Sequence, residues 1–265
     1  MLNLINKTII KKILMFSVIA FTGCATTQQS ERVAKIDPFE PMNRAIFSFN
    51  EKADEYVIKP VAEAYKFVLP EFVRTGVTNF FGNINDVLIA ANNLLQGKPA
   101  NAANDIGRFL INSTIGILGL FDVATDMGLD KNREDFGQTL GVWGVPDGPY
   151  VVLPFFGASN VRDTAGFVVD VKTDFILNSD KLNTDQKIGS TVLRIVNQRA
   201  NLLDAGQLLD DAAFDKYSFL RDGYLQRRRN QIYDGNPPPV KEEDWASEIA
   251  AHYLYNSGIW YIPVK

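Results

Sequence analysis

The chain has 265 residues, 46% of them hydrophobic, with 27 basic against 31 acidic residues for a net charge of −4. That acidic balance excludes non-specific nucleic-acid binding, which depends on basic surface. A single cysteine excludes an intramolecular disulfide, and the length suits one large domain or two small ones.

Lys7, Lys11 and Lys12 precede an apolar run over residues 13–21. That run is too short to cross ~30 Å of hydrocarbon as a helix. With Gly23 ahead of Cys24, it has the layout of an export signal. Cys24 directly after a small residue resembles a bacterial lipobox, in which the thiol is acylated and becomes the first mature residue. Phe21 stands where that motif usually has Leu. The reading predicts a lipoprotein signal peptide over 1–23 and a lipidated flexible tether over 24–36. An ordinary secretory signal with a free cysteine, or an uncleaved anchor, is the alternative. Loss of 1–23 removes three lysines and no acids, so the mature chain is more acidic still. Ala25 follows the cysteine rather than Asp, which by resemblance to Gram-negative lipoproteins favours the periplasmic leaflet of the outer membrane.

Helical signals begin at Asp37-Pro38-Phe39-Glu40, with Asp37 as N-cap and Pro38 in the first turn. Met42, Ile46, Phe49 and Ala53 follow at helical spacing. Lys59-Pro60 predicts a break or kink, and a short segment then runs to about Val68 ahead of Pro70. The clearest helix carries Val73, Val77, Phe80, Ile84, Val87, Leu88, Leu94 and Leu95 as a broad apolar stripe, closed by Gly97. Gly82 within it predicts a close crossing or a bend. Another helix starts near Pro99 and carries Ile106, Phe109 and Leu110.

Residues 109–121 are apolar on several faces yet studded with small and polar residues, and too broken to span a bilayer. One reading is a buried helix-turn element. The other is a hairpin whose outer residues Ile117, Leu118, Leu120 and Phe121 meet acyl chains while Asn112, Ser113 and Thr114 face a polar interior. The Gly- and Pro-punctuated residues 130–160 predict a fixed irregular loop, with strand-like alternation only near Tyr150 to Leu153. Helical pattern resumes over 160–171 and 184–203, then around Leu208, Leu209 and Ala212, and again around Tyr217 and Tyr224. Pro237-Pro238-Pro239 ends the fold, and 240–265 reads as a tail. The class is mainly α.

Catalytic chemistry is hard to assemble. His252 is the only histidine, and no Gly-x-Ser-x-Gly elbow occurs. One histidine and an acylated cysteine build no zinc site. Asp122, Asp126, Asp130, Glu134 and Asp135 fit no EF-hand and read as a solvated acidic loop. No catalytic residue, metal or cofactor is therefore predicted. Arg227-Arg228-Arg229 suits either a helix dipole or anionic headgroups. Trp143, Tyr150, Phe155 and Phe156 fit either an interfacial belt or a core.

Several motifs resemble those of the MlaA (VacJ) family of outer-membrane lipoproteins. They are Asp37-Pro38-Phe39-Glu40, Asn43-Arg44, Phe49-Asn50, Gly82-Asn83, Leu95-Gln96-Gly97, the run from Arg108 to Gly116 and Phe136-Gly137-Gln138-Thr139-Leu140-Gly141. The run from Gly148 to Gly157 is the most specific, and Arg199-Ala200-Asn201-Leu202-Leu203-Asp204 and Tyr217-Ser218-Phe219-Leu220-Arg221 continue the match. The resemblance covers about 37–235. It implies a ring-like bundle of amphipathic helices, partly embedded in the inner leaflet of the outer membrane. Such proteins remove mislocalised phospholipids from the outer leaflet through an amphipathic channel, associate with trimeric porins and pass lipid to a periplasmic carrier protein. Lipid asymmetry is thereby preserved without a covalent step. Channel or membrane contact is then expected from Asn112, Ser113, Thr114, Ile117, Leu118, Leu120, Phe121, Tyr150, Phe155 and Phe156. The rival classes are a lipid-modifying hydrolase and a passive structural lipoprotein.

Overall fold

The computed structural model describes residues 36–206 and 214–239. Cys24, the signal, most of the tether, Leu208, Leu209, Ala212, His252 and the tail 240–265 lie outside the described residues. The chain divides into a short unit, Met1–Pro38, and a second, Phe39–Lys265, to which everything below refers.

Helix α1, Glu40–Ala53, runs through a π-helical turn, Asp54–Ile58, into α2, Lys59–Val68. Pro60 has no N–H to give an α-helical bond, and the widened turn absorbs it, with Lys59 N–H reaching back to the Asp54 carbonyl. Lys59-Pro60 therefore widens one turn and leaves the chain helical. The start of α1 differs from expectation too. Its N-cap is Phe39, with Pro41 in the first turn, and not Asp37. Glu40 is instead held by Arg44 Nε at 2.7 Å.

Leu69, extended as a residue before proline must be, leads into α3, Glu71–Leu95. Gly97 at φ +77° ends it as expected, with Lys98 N–H donating to the Asn93 carbonyl at 2.8 Å and Gly97 N–H to Leu94 at 3.0 Å. Next come α4, Pro99–Thr114, and a single turn α5, Val123–Asp126. The predicted irregular loop contains regular structure: α6, Phe136–Val142, and strands β1, Tyr150–Leu153, and β2, Gly157–Asn160. The strands pair antiparallel from Tyr150↔Asn160 to Leu153↔Gly157. Asp135 starts α6 by accepting from Gln138 N–H at 2.9 Å, a cap hidden among five acidic residues. Then follow α7, Val161–Thr173, α8, Thr184–Asn201, and α9, Lys216–Ile232. Asn160 caps α7, and Asn183 with Gln186 forms a capping box on α8. The fold is mainly α, as the sequence predicts.

Polar residues make up much of what α3 and α4 bury. On α3 the buried residues include Asn83, Asp86, Asn92 and Asn93, and on α4 they are Ala102, Asp105, Arg108 and Asn112. Of the predicted apolar stripe Leu94 and Leu95 are exposed and the rest half-buried, and on α4 Ile106 and Leu110 are exposed. Among the described residues buried apolar side chains form two small clusters, one of Tyr150, Val152, Tyr217 and Tyr224 and one of Ala62, Ala200 and Leu203. Helix neighbours follow one another in a circuit: α2 packs on α8, α8 on α3, α3 on α4 and α6, α6 on α7 and α9, α9 on β2, and β1 on α1.

Candidate lipid-contact site

After α4 the chain turns sharply and exposes its apolar residues. Ile115, Ile117, Leu118, Leu120 and Phe121 all lie exposed, Leu118 at 70%. Ile117 and Leu118 occupy left-handed backbone, at φ 51° and 57°. A β-branched residue there is strained, and such strain persists only where surrounding contacts impose it. Those contacts come from α3. A Cβ on Gly119, itself at φ +85°, would stand 2.6 Å from the Asn83 side chain, so only glycine fits. Asn79 Nδ2 donates to the Leu120 carbonyl at 3.2 Å, and Gly119 N–H donates to the Asn112 carbonyl at 2.8 Å.

The three polar residues of this segment part company. Asn112 is buried, donating to Asp122 at 3.0 Å and accepting from Ala124 N–H at 2.9 Å. Ser113 Oγ accepts from Asn83 Nδ2 at 2.8 Å. Thr114 is exposed and bonds back to the Leu110 carbonyl at 2.7 Å, so it joins no polar interior. Asn112 and Ser113 fasten the turn to the helices behind it.

Behind the turn lies a polar seam that sequence reasoning missed. Arg108, 1% exposed, binds Asp122 through Nη2 at 2.8 and 2.9 Å, and its Nη1 reaches Thr125 and the Leu129 carbonyl. Burial pushes the Asp122 carboxyl up, but its bonds from Thr125, Arg108 and Asn112 hold it at about 2. Asp86 is fully buried, paired with Lys131, and stands 3.6 Å from Arg108 Nε. Burial raises its pKa against the pull of Lys131. Lys131 also donates to the Gly82 carbonyl at 2.7 Å, so the close approach expected at Gly82 is made by an ammonium group. Asp105 accepts from Asn93 at 2.7 Å and from Asn132 at 2.9 Å. The acidic residues around 122–135 are thus largely committed: Asp122 to Arg108, Glu134 to Lys98 and Asp135 to Arg228. The solvated-loop expectation fails for these three.

The β-hairpin makes a second exposed apolar tip. Phe155 and Phe156 are exposed at 65% and 64%, their rings against Phe49 at 5.2 Å and Phe167 at 4.8 Å. Tyr150, at 2% exposure, sits in the aromatic cluster and touches no lipid-facing surface. Two amides of α1 hold the hairpin. Asn43 donates to the Tyr150 carbonyl at 3.0 Å and accepts from Val152 N–H at 2.9 Å. Asn50 donates to the Leu153 carbonyl at 2.9 Å and accepts from Phe155 N–H at 2.8 Å. Arg228 is spent on carboxylates at the N-terminal ends of two other helices, α6 and α7. It is buried, bound to Asp135 at 2.6 Å and Asp163 at 2.7 Å.

No helix among the described residues is long and apolar enough to cross a membrane. The arrangement nevertheless presents apolar side chains outward, with charge neutralised in pairs inside. Such a surface suits partial immersion in hydrocarbon, where each buried polar group must find its partner within the protein.

The profile of the MlaA lipoprotein family matches residues 35–231. The intermembrane phospholipid transport system lipoprotein MlaA of Escherichia coli K12 is 35% identical over 77% of this chain and 81% of its own length. The protein of the same name from Haemophilus influenzae is 31% identical over 89% of this chain and 95% of its own length. An uncharacterized protein of Rickettsia prowazekii is 39% identical over 74% of this chain and 78% of its own. A solved structure concerned with the structural basis for maintenance of bacterial outer membrane lipid asymmetry aligns with a TM-score of 0.65 at 33% identity. The alignment covers 76% of this chain and 99% of that one.

Proposed function

From the premise that the chain belongs to the MlaA lipoprotein family, we propose that it transports phospholipid between membranes, removing molecules mislocalised to the outer leaflet of the outer membrane. The observation that carries this reading is the burial on α3 and α4, with Asn83, Asp86, Asn93, Asp105 and Arg108 inside and Leu94, Leu95, Ile106 and Leu110 exposed. A phospholipid that leaves a leaflet must carry a charged headgroup past apolar surroundings, at a cost of several kcal/mol unless polar groups accompany it. A body with an apolar exterior and a polar interior lowers that cost with no covalent step. The circuit of packed helices supports a ring with a central path.

In this reading Ile117, Leu118, Leu120 and Phe121, with Phe155 and Phe156 of the hairpin, contact acyl chains of the periplasmic leaflet. Asn112 and Ser113 keep the first group seated. Acylation at Cys24 anchors the mature chain, trimeric porins hold it laterally, and a soluble periplasmic carrier receives the lipid. The test is complementation of a Gram-negative strain that lacks its own MlaA. Outer-leaflet phospholipid should fall to normal with this chain, and Leu118→Lys or Phe155→Lys at normal protein level should abolish the rescue. Undiminished rescue by both variants would remove the acyl-contact assignment, and no rescue by the unaltered chain would remove the transport reading.

A further inference from the structure

Helix α8 carries two lanes. Ile188, Val192 and Ile195 form an exposed apolar stripe. Lys187, Ser190, Arg194, Asn197 and Asn201 recur at spacings of three and four on another flank. Arg194 lies about 130° around the helix from the centre of the apolar stripe, and the polar lane extends for roughly 21 Å along the axis. That length exceeds the ~15 Å half-thickness of a bilayer's hydrocarbon core.

One end of the polar lane is closed by packing. Asn197 donates to Thr78 Oγ1 at 2.7 Å and accepts from Tyr65 Oη at 2.9 Å, while Asn201 donates to the same Thr78 at 3.0 Å. Arg194 is only partly committed. Its Nη1 donates to Asp174 Oδ2 at 2.7 Å, and its guanidinium lies over the Phe81 ring at 4.9 Å. Its Nε is buried with no acceptor beside it, and no described residue accepts from Nη2. Arg199, a little over one turn further on, uses that same edge differently: its Nε and Nη2 both bind Asp54, at 2.7 Å each. The two arginines thus present the same fork, one of them occupied by a carboxylate.

We propose that the Nε/Nη2 edge of Arg194 takes the phosphate of the transported phospholipid, so that Arg194 determines specificity while Asp174 and Phe81 position it. This rests on the transport reading above and adds the residue that separates phospholipid from neutral lipid. The planar fork matches two phosphate oxygens, which a neutral diacylglycerol does not offer. Asp174 already offsets the guanidinium charge, so the phosphate is recognised without being held too tightly to leave. Stacking on Phe81 fixes the plane of the fork, which limits the entropy lost on binding.

The experiment uses the full-length lipidated protein in detergent micelles doped with phosphatidylethanolamine or with diacylglycerol of the same acyl chains. Native mass spectrometry reads the bound lipid. The wild type should prefer phosphatidylethanolamine by about tenfold, Arg194→Gln should erase that preference and Arg194→Lys should keep part of it. Insertion into vesicles, unchanged in every variant, is the control for folding. An unaltered preference in Arg194→Gln, or equal binding of both lipids by the wild type, overturns the assignment alone. Failure of the wild type to bind either lipid overturns the transport reading and this assignment with it.

Discussion

Asp170 is the residue most at odds with its surroundings. Its carboxylate accepts from Phe136 N–H at 3.2 and 3.3 Å and from no other described group. Burial and the neighbouring charge of Asp135 raise its pKa to about 6. The folded state therefore binds a proton that the unfolded chain, with the usual value near 4, has already released. Stability must fall as pH rises from about 4 through 6. Asp170→Asn keeps an acceptor for Phe136 and removes the charge. It should raise stability above pH 6 by about 1–2 kcal/mol, allowing for solvent screening of a partly exposed group. The gain should vanish near pH 3.5, and denaturant midpoints at the two pH values check it. Arg108 gives the opposite case. Arg108→Met leaves Asp122 and Asp86 without their shared cation, and a loss of about 3–5 kcal/mol is expected in the same assay.

At the scale of elements, α1 serves the β-hairpin as a substitute for a third strand. Asn43 and Asn50 are two helical turns apart, about 10 Å, and their partners along β1 are centred three residues apart, also about 10 Å. The two spacings match, and side-chain amides satisfy backbone groups of β1 and of the turn that follows it. Asn50→Ala should expose the Phe155 amide to hydrogen exchange and leave that of Val152 protected. Asn43→Ala should do the reverse, each at a local cost of about 1–3 kcal/mol. Equal loss of protection at both amides would mean that the hairpin opens as a unit. The sequence makes several element ends readable because their chemistry is local: Gly97 at a left-handed cap and Pro99 in a first turn. Helix α6 is not readable that way. Its seven residues include Gly137 and Gly141, and its cap, Asp135, is one acid among several. The Asn43 and Asn50 pairing is equally hidden, because its partners lie more than 100 residues away.

On the scale of the whole molecule, periodicity reveals that a helix has two faces and is silent about which one points inward. The choice depends on the solvent, and in the proposed function the solvent is in part hydrocarbon. Val73 to Leu95 reads as a core-facing stripe only if water lies outside. With acyl chains outside, the same spacing puts Asn83, Asp86 and Asn93 within, each bonded to a neighbour or an ion. The segment 109–121 stands out in the sequence as a candidate membrane contact because its apolar residues follow no single face. The seam behind it does not, because Arg108, Asp122 and Lys131 are brought together only by the fold. Exposed apolar residues have a direct consequence for membrane binding. Replacing Ile188, Val192 and Ile195 by Ser removes about 1.5 kcal/mol of partly buried apolar surface at each position, or roughly 4–5 kcal/mol together. Partition into anionic vesicles should then drop about a thousandfold in a chain that also carries Cys24→Ala, while thermal stability in aqueous buffer holds or rises. In a protein with an ordinary apolar core, outward substitutions of this kind would leave vesicle partition unchanged. Co-sedimentation of the two unacylated chains, with and without the triple substitution, separates an embedded body from a soluble one on a tether.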